Sequence, residues 1–571
     1  MRRIVTRSLT VLLVLATVLA ACGTDGDDPV VGTDDDPADE AGDADDPGDE
    51  GEGADADDEG DSADDTVTEA LTIAIGGDEG SLTPYTYRTG YPGWNLLGLV
   101  WDTLLVLDES NTPQPLLASD WSIDDAGTTW TFTLRDDVVW HDGEPFTADD
   151  VAFTFDYVTE FTSSRWTSAV DGVVEVTVTG DQEFTVELDA PDPEFAIRPL
   201  ADMPMLPEHL WSQIDDPDAA TIDDAVGTGP YRLTEYEQDQ RYRLEANDDY
   251  FAGAPRVGVL DIAVFADPST AFAALRSGEL DMSAIRLEPQ LVERFDADPD
   301  LAVAQGSGFA STLLQFNTER APLDRPRLRQ AIGLAIDPAE LIEVVLLGTG
   351  TEPNPGFVHP DSPLADPDLT HEHDPDAANE MLDELGATAG DDGIRTLDGE
   401  PLSFELLVYA DNPARIRAAE LIGEMLANIG VEVTISPQEA TTVDDAVWPG
   451  FDVAQGRDFE LSMWGWSAPV MLDAGRIAAL GHSDPAIGSL NIGGLDDAEV
   501  DAAADAVRAA ADADARDAAA QQLQAAIADA RPFVTLYYAD ELYGYRPAAY
   551  DGWVFQDGQG ILSKLSFVDV G

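Results

Sequence analysis

The stretch Thr128–Val158 reads TTWTFTLRDDVVWHDGEPFTADDVAFTFDYV, and it decides the fold because its local signals agree with one another. Trp130, Phe132 and Leu134 alternate with polar residues. A period of two is typical of a β-strand that buries one face and exposes the other to water. The first part of the stretch is therefore predicted to be a half-buried strand.

The remainder of the stretch predicts a turn, a second short strand, another turn and a helix. Asp142 and Gly143 are residues that favour a turn. Thr147 and Asp150 have the spacing of a capping box in which aspartate replaces glutamate. From Val151 onward, apolar residues recur at i, i+4 and i+7, which indicates an amphipathic helix.

The first 22 residues have the pattern of a secretory signal peptide. Three arginines precede an apolar run from Leu9 to Ala21, which is too short to span a membrane. The run ends in Leu-Ala-Ala-Cys22, which resembles a bacterial lipobox. Cys22 is the only cysteine, so no intramolecular disulfide forms. The resemblance implies that a lipid attached to Cys22 tethers the mature protein to a membrane.

Residues 23–66 are predicted to form a disordered acidic tether. The segment contains 21 acidic residues, no basic residue and almost no large apolar side chain. Such a composition cannot bury enough surface to offset the entropy lost on ordering. Repulsion among the carboxylates is expected to keep the tether extended at low salt.

The remaining chain is itself strongly acidic. Without the three arginines of the leader and the 21 acids of the tether, residues 67–571 hold 25 basic and 93 acidic residues, a net charge of −68. Nucleic acid is excluded as a partner because its phosphates need a positive surface. Such self-repulsion predicts adaptation to high salt; the alternative is an acidic protein that is indifferent to salt. Lys564 is the only lysine.

The amino-acid sequence of the opening stretch resembles the signature segment of the family 5 extracellular solute-binding proteins. These proteins are the receptors of ABC importers for peptides, nickel and oligosaccharides. The matching residues are Trp121, Phe132, Leu134, Arg135, His141, Asp142, Gly143, Pro145, Thr147, Ala148, Asp150 and Val151. Gly227–Tyr231, Gly-Thr-Gly-Pro-Tyr, resembles a second family segment. A nucleotide-binding interpretation of these glycines fails because the required third glycine and following helix are missing.

The resemblance implies an α/β fold of the periplasmic-binding-protein type, a type II clamshell of three subdomains with hinge strands between two lobes. Strands at Leu313–Thr318 and Pro532–Tyr538 are expected to cross between the lobes. The implied segments are 67–113, 225–318 and 531–571 for the core of lobe I, 114–224 for its accessory subdomain and 319–530 for lobe II.

The resemblance also implies a ligand cleft between the lobes. Its candidate residues are Tyr85, Trp101, Phe316, Asn317, Arg457, Trp464, Trp466 and Tyr537. The three tryptophans are either walls of the pocket or core residues, and Arg457 either pairs with a ligand carboxylate or lies on the surface. Peptide-binding members place an acidic residue just after the last of these tryptophans, whereas here the first acid is Asp473, a departure from the family pattern.

The implied function is that of a monomeric receptor, held outside the cell by its lipid, which closes over a small oligopeptide-like solute and delivers it to the permease subunits of an ABC importer. No catalytic residue, cofactor or metal is expected. A sugar oligomer or a nickel complex is an alternative ligand; His371 and His373 flank Glu372, but their Pro- and Asp-rich context favours a solvated loop. An acidic surface hydrolase is the alternative of another class, and the chain lacks the Gly-x-Ser-x-Gly and His-Glu-x-x-His motifs.

Overall fold

A computed structural model of the protein describes residues 68–87, 91–163, 165–192, 194–468, 471–510 and 512–570, which belong to the unit Asp64–Gly571. The predicted signal peptide, the tether and Cys22 lie outside the described residues. Along the described part of the chain, no helix combines the length and apolar character needed to cross a lipid bilayer.

Strands supply the framework of the fold. In chain order they are β1 (Leu71–Ile75), β2 (Leu105–Leu107), β3 (Pro113–Pro115), β4 (Ala118–Ile123), β5 (Thr129–Leu134), β6 (Val173–Gly180), β7 (Glu183–Leu188), β8 (Tyr231–Glu237), β9 (Arg241–Ala246), β10 (Val259–Val264), β11 (Met282–Ser283), β12 (Ala302–Gly306), β13 (Ser311–Phe316), β14 (Gly350–Thr351), β15 (Thr388–Ala389), β16 (Arg395–Leu397), β17 (Glu400–Pro401), β18 (Ser403–Tyr409), β19 (Glu432–Gln438), β20 (Leu461–Trp464), β21 (Phe533–Ala539) and β22 (Glu541–Tyr545).

Helices cover the sheets and fill the segments between them. They are α1 (Gly93–Val100), α2 (Ala148–Glu160), α3 (Glu208–Trp211), α4 (Pro268–Ser277), α5 (Pro289–Asp296), α6 (Pro326–Leu334), α7 (Pro338–Val345), α8 (Pro375–Glu384), α9 (Pro413–Ala427), α10 (Ala440–Val447), α11 (Ala474–Ala479), α12 (Ala498–Arg508) and α13 (Ala513–Ala530).

Two large sheets are joined by two short links. A seven-stranded sheet has the order β12-β22-β11-β1-β10-β9-β8, and a six-stranded sheet has the order β14-β21-β13-β20-β18-β19. The chain leaves the first sheet after β12 and enters the second at β13, and it returns between β21 and β22 through Asp540 alone. The predicted strands at 313–318 and 532–538 therefore lie at the two crossings, as a clamshell hinge requires.

The opening stretch forms the predicted strand and helix. β5 lies inside a four-stranded antiparallel sheet, β4-β5-β7-β6, and it buries Trp130, Phe132 and Leu134. Thr147 and Asp150 form the capping box of α2, whose buried face packs into the same core as this sheet. The local signals of the sequence thus fix both elements.

One local prediction is wrong. The second strand of the opening stretch is a single bridge between Val139 and Pro145, because proline has no N–H to donate to a longer ladder. α1 ends at Val100, Trp101 is extended, and β2 follows. The helix ends before Asp102, whose side chain is buried in the interior.

The six-stranded sheet contains a β-α-β unit. β18 and β19 pair in parallel on either side of α9, whose apolar face is buried against the sheet. Asp337 and Asp374 cap α7 and α8 by accepting a backbone N–H three residues ahead, with proline as the first helical residue in each case.

Candidate ligand-binding site

A cavity of about 460 Å³ lies between segments from the two sides of the chain crossings. Residues of 94–107, 165–204 and 556–565 form one wall. The opposite wall comes from four residues that follow β20 of the six-stranded sheet: Ser467, Leu472, Asp473 and Arg476. Because α1 packs against β8 of the seven-stranded sheet, the two walls of the cavity are associated with different sheets.

Two tryptophans of α1 and its end form an aromatic wall of the cavity. The indole Nε1 of Trp101 donates to the carbonyl oxygen of Leu82 at 3.0 Å, and the side chain is almost fully buried. The guanidinium carbon of Arg165 lies 4.2 Å from the ring centre of Trp94. Both indoles are therefore held in fixed orientations.

Two basic residues of the wall are neutralised by close carboxylates. Lys564 donates to the fully buried Asp102, and Arg165 forms a bidentate pair with Asp202 in which its Nε lies 2.9 Å from Oδ2. These pairs fix the backbone around the cavity and leave little free positive charge of their own.

A second pair of basic residues shares one carboxylate. Arg198 Nη1 lies 3.9 Å from Asp473 Oδ2, and Arg476 Nε lies 3.5 Å from the same oxygen. The other oxygen of Asp473 accepts the backbone N–H of Arg476 at the start of α11. Asp473, the acid whose position departs from the family pattern, thus lies in the wall of the cavity.

A second cavity of about 410 Å³ adjoins the first. Ile197 and Leu472 line both, so the two spaces meet at these residues. The second cavity has an apolar wall that includes Trp121 and Trp130. The second cavity also has charged residues in its wall, Asp192, Asp512, Arg516 and Asp517.

Of the eight candidate residues from the sequence, Trp101 lines the large cavity, and it is also a core residue. Phe316 and Tyr537 are buried in the core of the six-stranded sheet. Tyr85 donates its hydroxyl to the carbonyl oxygen of Phe161 at 2.8 Å. These three side chains are occupied in packing and local hydrogen bonds.

The other four candidates lie in and around the strand β20. Asn317 donates to the carbonyl oxygen of Phe459 at 2.9 Å. Trp464 and Trp466 are in contact with each other, with ring centres 6.2 Å apart, and neither indole N–H has a hydrogen-bond partner. Arg457 is buried, with its Nε 3.7 Å from Glu319. The neighbour of this cluster, Ser467, lines the large cavity.

The charged residues of the wall are the ones that the family resemblance missed. They are Arg165, Arg198, Arg476 and Lys564, which lie far apart in the sequence, and no local motif joins them. The sequence feature that could have indicated these residues is the scarcity of basic side chains, since the chain after the tether has only 25 basic residues against 93 acidic ones.

A buried acid connects the walls behind the cavity. Glu194 lies 3.4 Å from Arg516, and its Oε1 accepts the backbone N–H of Ala474 at 3.4 Å. Burial raises the pKa of Glu194 to about 8, against the opposing attraction of Arg516 and with added repulsion from Asp473 and Asp192. Glu194 therefore joins segments that hinge opening would separate.

We expect the free energy of unfolding to fall as the pH rises from about 4.5 to 8, because over this range the folded state binds a proton at Glu194 that the unfolded state has released. Glu194→Gln removes this slope, and the difference between the two proteins is about 2 kcal/mol over the window, discounted for the pairing with Arg516. Urea unfolding at each pH measures it. Glu175→Gln, at an exposed glutamate, is the control; an unchanged slope in Glu194→Gln contradicts the assignment.

Comparison with known proteins gives the family. The model of the bacterial extracellular solute-binding proteins, family 5 Middle, matches residues 112–486. Protein XP55 of Streptomyces lividans is 28% identical over 476 residues, which cover 83% of this chain and 84% of that protein. The oligopeptide-binding protein AppA of Bacillus subtilis is 26% identical over 473 residues, covering 81% and 84%.

A solved structure shows the same fold. NikZ from Campylobacter jejuni, in complex with Ni(L-His), aligns with a TM-score of 0.68 and 23% identity over 88% of this chain and 100% of that one. The predicted α/β clamshell is thereby confirmed. The relatives are binding proteins of ABC transporters and not enzymes, so the hydrolase alternative is dropped. The chain belongs to the family 5 bacterial extracellular solute-binding proteins and serves as the solute receptor of an ABC importer.

Proposed function

We propose that the protein captures an oligopeptide-like solute in the cleft at the large cavity and delivers it to the permease subunits of an ABC importer. The observation that carries the proposal is the cavity itself, whose walls come from both sides of the two chain crossings. The link between β21 and β22 is the single residue Asp540, and a hinge motion of the two sides about such short links encloses a solute without any chemical step. The name of the relative AppA, an oligopeptide-binding protein, supports a peptide ligand.

The two adjoining cavities also support a peptide ligand. They share Ile197 and Leu472, and both have charged and apolar residues in their walls. An extended peptide presents a polar backbone and apolar side chains at regular intervals, which suits such a space. A sugar oligomer, the alternative ligand, finds aromatic walls here too, at Trp94 and Trp101.

A nickel complex is a weaker alternative. Among the described residues, no three His, Cys, Asp or Glu side chains are grouped so as to hold a metal ion. His371 contacts the carbonyl oxygen of Ile336 at 3.2 Å, and His373 lies 3.3 Å from Asp337, so both are engaged locally. A nickel ion bound through its own chelator remains compatible with the cleft.

The test of ligand class is capture by the purified chain. Small molecules that copurify are released by denaturation and identified by mass spectrometry, and they are added back while tryptophan fluorescence is recorded, since Trp94 and Trp101 line the cavity. Stoichiometric binding of peptides without turnover supports the proposal. Recovery of sugars or metal chelates, with no peptide bound, overturns it.

We also propose that the mature protein is a monomer, anchored through a lipid on Cys22 to the outer face of the cell membrane, with residues 23–66 as its spacer. The lipobox-like sequence and the acidic composition support this arrangement. Cys22→Ala is expected to release the protein from the membrane fraction, and an unchanged distribution contradicts the anchor. Light scattering of the purified chain tests the monomer.

We expect molar potassium chloride to raise the melting temperature by several degrees over dilute buffer, because the −68 charge of residues 67–571 repels itself unless counterions screen it. Circular dichroism melts measure the shift. Betaine at equal osmolality is the control, since it is excluded from protein surfaces without screening charge. A melting temperature that is insensitive to salt supports instead an acidic but salt-indifferent protein.

A further inference from the structure

The two chain crossings lie side by side, and their backbones touch. The strand pairs β12–β22 and β13–β21 flank the crossings. Between these pairs the first crossing consists of residues 307–310, whereas the second is Asp540 alone. A Cβ at Gly308 would lie only 2.4 Å from the carbonyl oxygen of Ala539. Because the two crossings are in contact, a change of angle at one of them requires a change at the other.

The imidazole of His359 is packed against an aromatic ring of each crossing. Phe309 belongs to the first crossing, and its ring centre lies 4.4 Å from that of His359, with 23° between the ring planes. Tyr538 lies near the end of β21, two residues before the second crossing, and its ring centre is 4.6 Å from that of His359. All three side chains are fully buried. Since protein interiors are close-packed, these rings fix the spacing of the two crossings.

Hydrogen bonds on both sides of His359 attach its segment to the crossings. Two residues before it, the carbonyl oxygen of Phe357 accepts the hydroxyl of Tyr538 at 2.6 Å. Two residues after it, the carboxylate of Asp361 accepts the hydroxyl of Ser307 in the first crossing. The imidazole is therefore held in place by contacts with both crossings.

Two phenylalanines beside His359 have backbone angles that this residue type rarely adopts. Phe309 has a φ of 51° and Phe357 a φ of 87°. Strained conformations of this kind persist only where the surrounding structure holds them, and they are typical of ligand clamps and switch regions. The packing around His359 thus maintains a backbone geometry that the chain would not adopt by itself.

His359 acts here as a neutral ring, and one of its nitrogens is unused. Its Nδ1 accepts the backbone N–H of Asp361 at 3.0 Å, which leaves the ring proton on Nε2. Nε2 has no hydrogen-bond partner among the residues that the structure describes. Burial lowers the pKa of His359 to about 4, although the carboxylate of Asp361 opposes this shift, so the ring is uncharged at neutral pH. Because an unpaired N–H in the interior costs free energy, packing and not polarity keeps the ring there.

We propose that His359 is a pin that fixes the angle between the two large sheets by holding the two crossings at one spacing. This role rests on the proposed function, because the pin restrains the hinge motion by which the cleft closes. With the imidazole in place, the two crossings bend together. Without it, the crossings move separately and the sheets sample additional angles, even when no solute is bound.

The test measures the distance between the two sheets in the chain without solute. Cys22 is the only cysteine, so Cys22→Ser leaves introduced cysteines as the only sites for spin labels. Ala273→Cys on α4 and Glu424→Cys on α9 place labels at exposed positions. α4 packs in the core beside the seven-stranded sheet, and α9 packs in the core of the six-stranded sheet. Double electron–electron resonance then gives the distribution of label distances in this parent chain and in its variants.

His359→Ala should broaden this distribution and accelerate amide exchange at the crossings about 10-fold or more, because it leaves a cavity between the rings. His359→Phe should retain the parent distribution, since it keeps a ring in place and removes the unpaired N–H. His482→Ala is the matched control. His482 is buried, and its Nδ1 also accepts the N–H of an aspartate two residues later, but its ring faces Asp501 and Asp505 of α12. This control should lose stability without broadening the distribution.

Equal distributions in the parent and in His359→Ala overturn the pin, and so does a broadening that His359→Phe or His482→Ala shows to the same extent. If His359→Ala does not fold, His359→Val takes its place with the same expectation. Peptide capture is measured separately. A parent chain that captures no peptide overturns the peptide ligand and leaves the pin intact, because the label distances are measured without solute.

Discussion

Replacing Lys564 by methionine is expected to lower the free energy of unfolding by about 3–5 kcal/mol, because it leaves a buried carboxylate without its cation. The side chain of Asp102 is fully buried and that of Lys564 is 10% exposed. Asp102 also accepts hydrogen bonds from Thr228 at 3.0 Å and Tyr250 at 3.1 Å. Neutral donors of this kind stabilise the carboxylate but cannot balance its charge in a medium of low dielectric constant.

A double substitution distinguishes this effect from lost packing. Asp102→Asn combined with Lys564→Met removes both charges. The amide oxygen still accepts from one of the two hydroxyls, Thr228 or Tyr250, and the amide NH2 can donate to the other, so most of the stability should return. Urea unfolding of the single and double variants measures the coupling. If Lys564→Met costs less than about 1 kcal/mol, the carboxylate is reached by water and the pair is worth no more than a surface ion pair.

Lys564 also shows what a sequence can reveal about a site. Its uniqueness among 25 basic residues is visible by counting, but its partner lies 462 positions away. No pattern within a few turns of chain connects Lys564 to Asp102. The pair becomes visible only when the fold brings the end of α1 against the C-terminal segment.

The elements that could be predicted are those whose determinants are local. The capping box at Thr147 and the alternation in β5 each depend on residues within four positions, and each is confirmed. The prediction of a second strand near Val139 is wrong for a local reason as well, since Pro145 has no N–H with which to extend the strand pairing.

The cavity could not be predicted, because its residues meet only through the crossings. Arg198 and Arg476 are 278 positions apart and stand on opposite walls. Aromatic residues in family-like segments gave most of the candidates, and aromatic residues fill cores as readily as pockets. Phe316 and Tyr537 illustrate this, since both are buried in the core of the six-stranded sheet.

Gly227→Ala is expected to destabilise the protein by about 3 kcal/mol or more, because the added Cβ has no room and the obstacle is rigid. A Cβ at Gly227 would lie 2.0 Å from the carbonyl oxygen of Val100, and one at Gly229 would lie 2.6 Å from it. The same segment is held by hydrogen bonds: Gly229 N–H donates to Val100 O at 3.0 Å, and His141 N–H donates to Gly227 O at 2.9 Å. The Gly-Thr-Gly motif is thus a close approach of two backbones.

The effect of this close backbone contact is measured by comparing the urea unfolding of Gly227→Ala with that of Gly423→Ala. Gly423 lies inside α9, where a Cβ meets nothing within 4 Å, so alanine there should stabilise the protein by about 0.5–1 kcal/mol through helix propensity. Opposite signs for the same chemical change would separate steric contact from backbone entropy. A loss below about 1 kcal/mol at Gly227 would mean that the segment moves away from Val100 at little cost. In that case the end of α1, and with it Trp101, would not be fixed by this contact, and the wall of the cavity would depend on the Asp102–Lys564 pair instead.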